Sequence, residues 1–196
     1  MKLLHLAPLA AIAFLVGCVT PVGPVEVTRF HTPDAGALVR SAIAVEAAPG
    51  MDGASLEQKT YQTAVAQQLR GLGYPAAESG AGDQVAQVKF SRSRYRADRV
   101  GSPVSVGIGG STGSYGSGLG LGIGINLSGP PPEQVETQLG VIIRDRKSTT
   151  VLWEGRARFV VSAKSPLADT ALGAPKVAEA LFRGFPGNSG ETIEVK

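Results

Sequence analysis

Apolar and polar residues alternate along five stretches of the chain, and a period of two is typical of β-strands with one buried face. The five predicted strands cover Val25 to Phe30, Ser41 to Ala47, Gln84 to Arg96, Gln134 to Asp145 and Thr150 to Ala163. The polar residues Arg146 to Thr149 separate the last two strands and predict an antiparallel hairpin. Glu191 to Lys196 is predicted either as a final edge strand or as a frayed tail.

Two further stretches have a helical period. The first predicted helix runs from Leu56 to Leu72, with Ser55 and Gln58 as a capping-box pattern and Gly71 and Gly73 favouring its end. Its apolar stripe consists of Leu56, Tyr61, Ala64, Val65, Leu69 and Leu72. The second helix is predicted to start with Pro175 in its first position and to end at Gly184.

These elements predict the α+β fold class. We expect an antiparallel β-sheet of about five or six strands with two helices on one face, plus a Gly-rich β-hairpin or loop insertion. Residues 25–196 are enough for a single domain with a proper core, and the Gly-rich insertion covers residues 101–129.

The Gly-rich insertion has its own alternation. Val104 to Ile108 and Leu119 to Leu127 place apolar residues at every second position, so two strands are predicted with Gly109 to Gly116 as the tip. Three interpretations remain open: a low-complexity hairpin extending from the sheet, a surface for self-association or membrane contact, or a phosphate-binding loop. The nucleotide-binding glycine fingerprints are absent, which disfavours the third.

The N-terminus has the pattern of an export signal. Lys2 precedes an apolar run from Leu3 to Val16, which is too short to span about 30 Å of hydrocarbon. The run ends in Leu15-Val16-Gly17-Cys18, which resembles the lipobox of bacterial lipoproteins. Residues 1–17 are therefore predicted as a signal peptide, and Cys18 as a lipidated residue that carries acyl chains such as palmitate.

Cys18 is the single cysteine of the chain, so its acylation would leave no thiol for a disulfide, a metal or a nucleophile. Residues 18–24 form the lipidated cysteine and a short tether. Val19 follows Cys18 where an inner-membrane retention signal would have Asp. We therefore expect a lipid-anchored protein of the bacterial cell envelope, in the outer membrane and facing the periplasm.

Charge argues against a nucleic-acid partner. The chain has a net charge of +3, and the loss of Lys2 with the signal would lower it to about +2. Several arginines nevertheless lie close together in the predicted strands and indicate a candidate binding surface. A candidate surface for anionic partners contains Arg92, Arg94, Arg96, Arg99, Arg156 and Arg158, with Lys89 nearby. The alternative interpretation is a water-facing strip of protective edge charges.

One conflict accompanies this surface. Arg92 and Arg94 share a strand face with Val88 and Phe90, so the strand is predicted to twist, bulge or leave the core near Ser91.

No catalytic constellation is visible in the sequence. His31 is the one histidine outside the predicted signal peptide, and it has no second histidine or cysteine with which to hold a metal. Glu133 and Glu136 are the closest acidic pair and are typical of a solvated strand start. No Gly-x-Ser-x-Gly elbow precedes a helix. We expect no catalytic residue, no metal, no cofactor and no enzymatic activity.

Several short motifs together resemble a known family. They are the lipobox, a helix followed by Gly73-Tyr74, the Arg144-Asp145 strand end, the Val151 to Gly155 hairpin and the closing Leu181 to Pro186 segment. The chain resembles the DUF4136 family of bacterial lipoproteins of unknown function, which implies a fold and a location but no activity.

The sequence thus favours a non-enzymatic envelope domain. It would be held at the membrane by its lipid and bind or assemble with other envelope components, including envelope proteins or further copies through the Gly-rich hairpin. The alternative is a small-ligand-binding or hydrolytic envelope protein with a site between sheet and loops.

Overall fold

The structure is a computed structural model, and it describes residues 22–33, 38–96, 104–113, 116–125 and 131–196. The predicted signal peptide (residues 1–17), Cys18 and Arg99 lie outside these residues. The strands are β1 (Val25–His31), β2 (Ile43–Ala47), β3 (Gln84–Arg96), β4 (Val104–Gly113), β5 (Gly116–Ile125), β6 (Glu133–Asp145), β7 (Val151–Ser162) and β8 (Thr192–Val195). The helices are α1 (Leu56–Gly71) and α2 (Thr170–Phe182), with a 3-10 turn at Pro166–Ala168 before α2. The predicted α+β class is confirmed.

The main sheet has six strands in the order β2-β3-β6-β7-β1-β8. Four of its five strand pairs are antiparallel, including the predicted β6–β7 hairpin. β2 instead pairs parallel with β3, so the sheet is mixed rather than wholly antiparallel. The reason is that α1 lies between these two strands in the chain, and a helical crossover returns the chain to the same edge in the same direction.

Both helices cover one face of the sheet and bury a single core there. Gln58 of α1 donates from Nε2 to the Val88 carbonyl at 2.9 Å, and Tyr61 stacks on Phe90 with ring centroids 4.5 Å apart. On the α2 side, Trp153 stacks on Phe182 with centroids 5.3 Å apart. The alternating inward residues of β3, β6, β7 and β1 are therefore buried, as their period predicts.

Helix α1 follows the prediction except at its first turn. Ser55 accepts from the Gln58 backbone N–H at 3.4 Å, but the Gln58 side chain goes to the sheet, so only half of the capping box forms. Leu56 does not join the apolar stripe and is 81% exposed, because the helix begins beside the edge of the core. Gly73 has a φ of +90° and completes the helix end, whereas Gly71 stays within the helix.

Helix α2 starts five residues before the predicted position. Asp169 is its N-cap and accepts from the Ala171 N–H at 2.8 Å. Pro175 consequently lies inside the helix rather than at its first position. Proline cannot donate to the carbonyl of Ala171, which is an exposed residue of the first turn. The predicted final edge strand exists as β8.

The Gly-rich insertion contributes a second, two-stranded sheet. β4 and β5 pair antiparallel from Val104↔Ile125 to Gly113↔Gly116. The paired strands thus extend into Gly109 to Gly113, which the sequence assigned to the tip. Backbone ladders need only N–H and C=O groups, so cross-strand glycines can continue them.

Candidate functional site

The arginines of the predicted basic surface are divided between the two faces of the sheet. Arg92, Arg94 and Arg96 stand on the face that the helices cover, in line with Val88. Arg156 and Arg158 of β7 stand on the opposite face, where no helix packs among the described residues. Five of the six named arginines are thereby placed, and they do not form one patch.

Arg92 is a structural link between the two helices. Its guanidinium donates to Glu57 Oε1 at 2.9 Å, to the Thr170 hydroxyl and to the Ala168 carbonyl, while Thr170 itself donates to Glu57 at 2.8 Å. The side chain thus ties the start of α1 to the start of α2. The sequence places Arg92 on the same strand face as the core residues Val88 and Phe90. No bulge turns the arginine away from that face, since β3 and β6 pair without a break. Along β3 the core ends at Arg92, while Val135 of β6 and Val161 of β7 remain buried in the next row.

Arg94 and Arg96 continue β3 beyond the starts of both helices. Both are exposed, and neither has an ion-pair partner within the residues that the structure describes. Of the five named arginines that the structure describes, these two are the most available for a partner.

Arg156 and Arg158 are neutralised by neighbouring carboxylates. Arg158 bonds to Glu136 at 2.8 Å and to Glu26 at 3.3 Å, so it links β7 to both adjacent strands. The hydrogen bond from Arg158, followed by that from Gln138, lowers the pKa of Glu136, and the pKa of Arg158 is raised in turn. Arg156 pairs with Glu154 at 2.6 Å. This face carries alternating charges rather than a field of one sign.

A shallow groove of about 640 Å³ crosses the same face, which we call the open face. Its centre is the row Lys89, Gly140, Arg156 and Thr28 on four adjacent strands. Gly140 has no side chain, and the stem of Lys89 lies over it: a Cβ there would be 2.8 Å from Lys89 Cε. The remaining lining is mixed: Ser91, Gln138, Arg158, Glu26 and Thr192 are polar, and Met51, Phe90, Leu139 and Ala157 are apolar. Such a groove offers paired charges and amide groups for hydrogen bonds.

Arg29 is a buried charge that the sequence analysis missed. It is 4% exposed and donates to three carbonyls at the end of α2: Nε to Leu181 at 3.0 Å, and Nη2 to Ala180 at 3.2 Å and to Arg183 at 2.7 Å. A cation there complements the negative end of the helix dipole. Burial lowers the pKa of Arg29, and the Glu191 carboxylate acts against that shift. The alternation Val25-Val27-Arg29 was the signal that placed it inward.

Both ring nitrogens of His31 lie close to backbone carbonyls. Its Nδ1 lies 2.8 Å from the Thr32 carbonyl and its Nε2 lies 3.2 Å from the Gly187 carbonyl. It does not line the open-face groove. Across the described segments, no group of three His, Cys, Asp or Glu side chains could hold a metal ion. Neither α1 nor α2 is long and apolar enough to cross a membrane.

The fold and its surface define a class: an α+β domain with both helices on one side of a mixed sheet and a charged, grooved face on the other. Residues 39–187, more than half of the chain, match the family described as "Domain of unknown function (DUF4136)". The chain belongs to the DUF4136 family, as its motifs indicated.

One curated relative is the "Uncharacterized protein ZMO1243" of Zymomonas mobilis, to which the chain is 38% identical over 63 residues. The match spans 32% of this chain and 24% of that protein.

Two solved structures are similar in shape. A PDZ domain protein from Parabacteroides distasonis has a TM-score of 0.48 at 13% identity, with 88% of this chain and 39% of that chain covered. A PelC dodecamer from Paraburkholderia phytofirmans has a TM-score of 0.43 at 15% identity, with 80% and 96% covered.

Proposed function

We propose that this protein is a lipid-anchored domain of the bacterial envelope, without catalytic activity, that binds another envelope component through the open face of its sheet. The anchor is supported by the sequence Leu15-Val16-Gly17-Cys18 at the end of an apolar run. The binding surface is supported by the groove of about 640 Å³ on the face that no described helix covers. The groove is the observation that carries the proposal.

The charged and polar side chains that line the groove favour a polar partner. Arg156 and Arg158 are already paired with carboxylates of this chain. A charged partner would therefore form new ion pairs in place of these existing ones, and would not bind to unpaired positive charges. The lining also offers Gln138 and Ser91 as hydrogen-bonding groups. A protein segment or a polysaccharide with both charged and neutral polar groups matches this lining. The proposal includes no catalytic activity, because His31 contacts backbone carbonyls away from the groove.

The anchor is tested by labelling growing cells with an alkyne fatty acid. Cys18→Ser should abolish incorporation and release the protein from the membrane fraction. The intact chain should carry the label. If the wild type remains unlabelled, the anchor is absent.

The binding face is tested with a photo-crosslinking amino acid at one of two exposed glutamines. Gln138 lines the groove, and Gln67 lies on α1 on the other side of the sheet. We expect a specific adduct in intact envelopes from position 138 alone, weakened by Arg156→Glu. Equal adducts from both positions, or none from position 138, would contradict the proposal.

A second candidate function is the binding of a small ligand, because the groove volume lies in the range of about 300–1,000 Å³ common for ligand sites. It predicts that an envelope metabolite extract raises the melting temperature of the purified protein. Arg156→Glu should remove that rise. Turnover of any envelope substrate, lost in a groove variant, would instead establish an enzyme.

A further inference from the structure

Five strand termini meet at one end of the sheet, which we call the tether end. β1 begins there, β3 ends at Arg96, β6 begins at Glu133, β7 ends at Ser162, and β8 ends at Val195 beside Val25. The register places Arg96 opposite Glu133, and Ser162 opposite Gln134. The Gly-rich insertion joins β3 to β6 and is therefore also connected at this end.

The segment between the proposed anchor residue Cys18 and β1 is short. Val22 and Gly23 already lie beside Gln134 and Val160 in a small cleft at the tether end. Only four residue steps separate Val22 from Cys18. A fully extended chain spans about 3.3–3.6 Å per residue, so these steps reach about 14 Å at most. An acyl anchor on Cys18 therefore keeps the tether end close to the lipid surface.

Three exposed cations lie at the tether end. Arg94 and Arg96 extend past the starts of both helices, and Lys164 follows the end of β7; all three are exposed. Four carboxylates lie near this end. Glu136 is bonded to Arg158 at 2.8 Å and Glu57 to Arg92 at 2.9 Å, which leaves Glu133 and the α2 N-cap Asp169 as opposing charges without an ion pair among the described side chains. Both helices also begin toward this end, and helix N-termini carry partial positive charge.

We propose that the tether end faces the membrane and that Arg94, Arg96 and Lys164 bind the phosphates of anionic phospholipid headgroups in the leaflet that holds the anchor. The inference rests on the proposed lipid anchor. The surface field is screened over about 8 Å at physiological salt, and a tether that is at most about 14 Å long still allows the tether end to approach the surface within that distance. Each cation near an anionic surface favours the docked state by about fivefold. Because the anchor removes the cost of encounter, this attraction is enough to orient the domain.

The orientation can be measured with the full lipidated chain in vesicles. Cys18 is the single cysteine and is consumed by the lipid, so one new cysteine gives a unique label. Ser93→Cys places a fluorophore at the tether end, and Ala81→Cys places one in a turn at the opposite end of the sheet; both sites are exposed. Quenching by nitroxide-labelled lipid is compared between vesicles of phosphatidylglycerol with phosphatidylethanolamine and vesicles of phosphatidylcholine alone.

Two charge variants complete the experiment. The first removes the cations of the tether end: Arg94→Gln, Arg96→Gln and Lys164→Gln. The matched control removes three exposed cations away from the tether end: Arg40→Gln, Arg70→Gln and Lys147→Gln. In anionic vesicles we expect strong quenching at position 93 and weak quenching at position 81. The first variant should lower the quenching at position 93 to that at position 81, and the control should leave it unchanged.

The outcomes separate this inference from the anchor. If the wild type does not float with vesicles and carries no fatty acid, the anchor is wrong and the inference is wrong with it. If the protein floats but positions 93 and 81 are quenched equally, the anchor stands and the orientation is overturned. An equal effect of the two charge variants, or of the two lipid compositions, would overturn the role of the three cations.

Discussion

Replacement of Arg29 by methionine tests whether this buried arginine stabilises the end of α2. The substitution keeps an unbranched side chain in the core but removes all three donors to the helix carbonyls. Net contributions of hydrogen bonds to charged groups are ~1.5–3 kcal/mol each. Three such bonds share one guanidinium here, and its burial opposes the gain. We therefore expect a loss of about 2–4 kcal/mol in the free energy of unfolding.

Arg29→Lys should cost less, about 1–2 kcal/mol, because an ammonium keeps the charge near the helix end but lacks the planar fork. The matched control is Arg156→Met, which removes an arginine on the open face whose side chain is 62% exposed. An exposed substitution of this kind should change the stability by at most ~0.5 kcal/mol.

Urea unfolding is the assay, followed by the fluorescence of Trp153. This is the single tryptophan; it is buried, stacks on Phe182 and donates from Nε1 to the Pro186 carbonyl at 3.0 Å. With a slope of ~2 kcal/mol/M, a loss of ~3 kcal/mol lowers the midpoint by ~1.5 M. If Arg29→Met shifts the midpoint no further than Arg156→Met, the three bonds do not stabilise the helix end and the reasoning fails.

Three further predictions follow from close contacts, from the division of the arginines and from one ion pair. Gly155→Ala should destabilise the protein by at least ~1–3 kcal/mol, because a Cβ would lie 2.2 Å from Trp153 Cη2. Gly71→Ala has open space around it and should stabilise the protein by ~0.5–1 kcal/mol; thermal unfolding measures both changes. Arg92→Met should cost ~1–3 kcal/mol because it releases both helix starts, and Arg94→Met two residues on should cost under ~0.5 kcal/mol in the same urea assay. Glu46 has a lowered pKa owing to the Gly80 N–H and Arg146, so its stabilisation is present above its ordinary value of about 4.3 and is lost as pH falls through the lower folded value. The stability difference between wild type and Glu46→Gln should therefore shrink between pH 5 and pH 2; a constant difference would refute this.

The strands and α1 could be predicted because burial on one face imposes a period that is local in the sequence. Ala86, Val88, Val141 and Phe159 are all buried, as that period requires. The parallel pairing of β2 with β3 was missed, although a helix between two strands is itself a signal for it. The start of α2 was misplaced because Pro175 was taken as a boundary, while the actual N-cap, Asp169, lies six residues earlier.

The candidate binding surface was harder to predict from the sequence than the fold. The alternation correctly put Arg92, Arg94 and Arg96 on one strand face. Where the helices begin relative to these arginines depends on tertiary packing, and that packing separates the linked Arg92 from the exposed pair. The groove depends on the register that sets Gly140 beside Lys89 and Arg156, which no local pattern contains. Whether any of these arginines binds an anionic partner stays a prediction.

The position of β1 within the sheet has a mechanical consequence. β1 is hydrogen-bonded on both sides, to β7 along Val25–His31 and to β8 along Val25–Thr28. A pulling force applied through the chain before Val25 acts along the strand, so it loads both ladders in shear and must break many bonds together. A strand at the sheet edge, pulled sideways, would unzip one bond at a time. Under the proposed function, this geometry would keep the domain folded when a bound partner and the proposed lipid anchor pull in opposite directions.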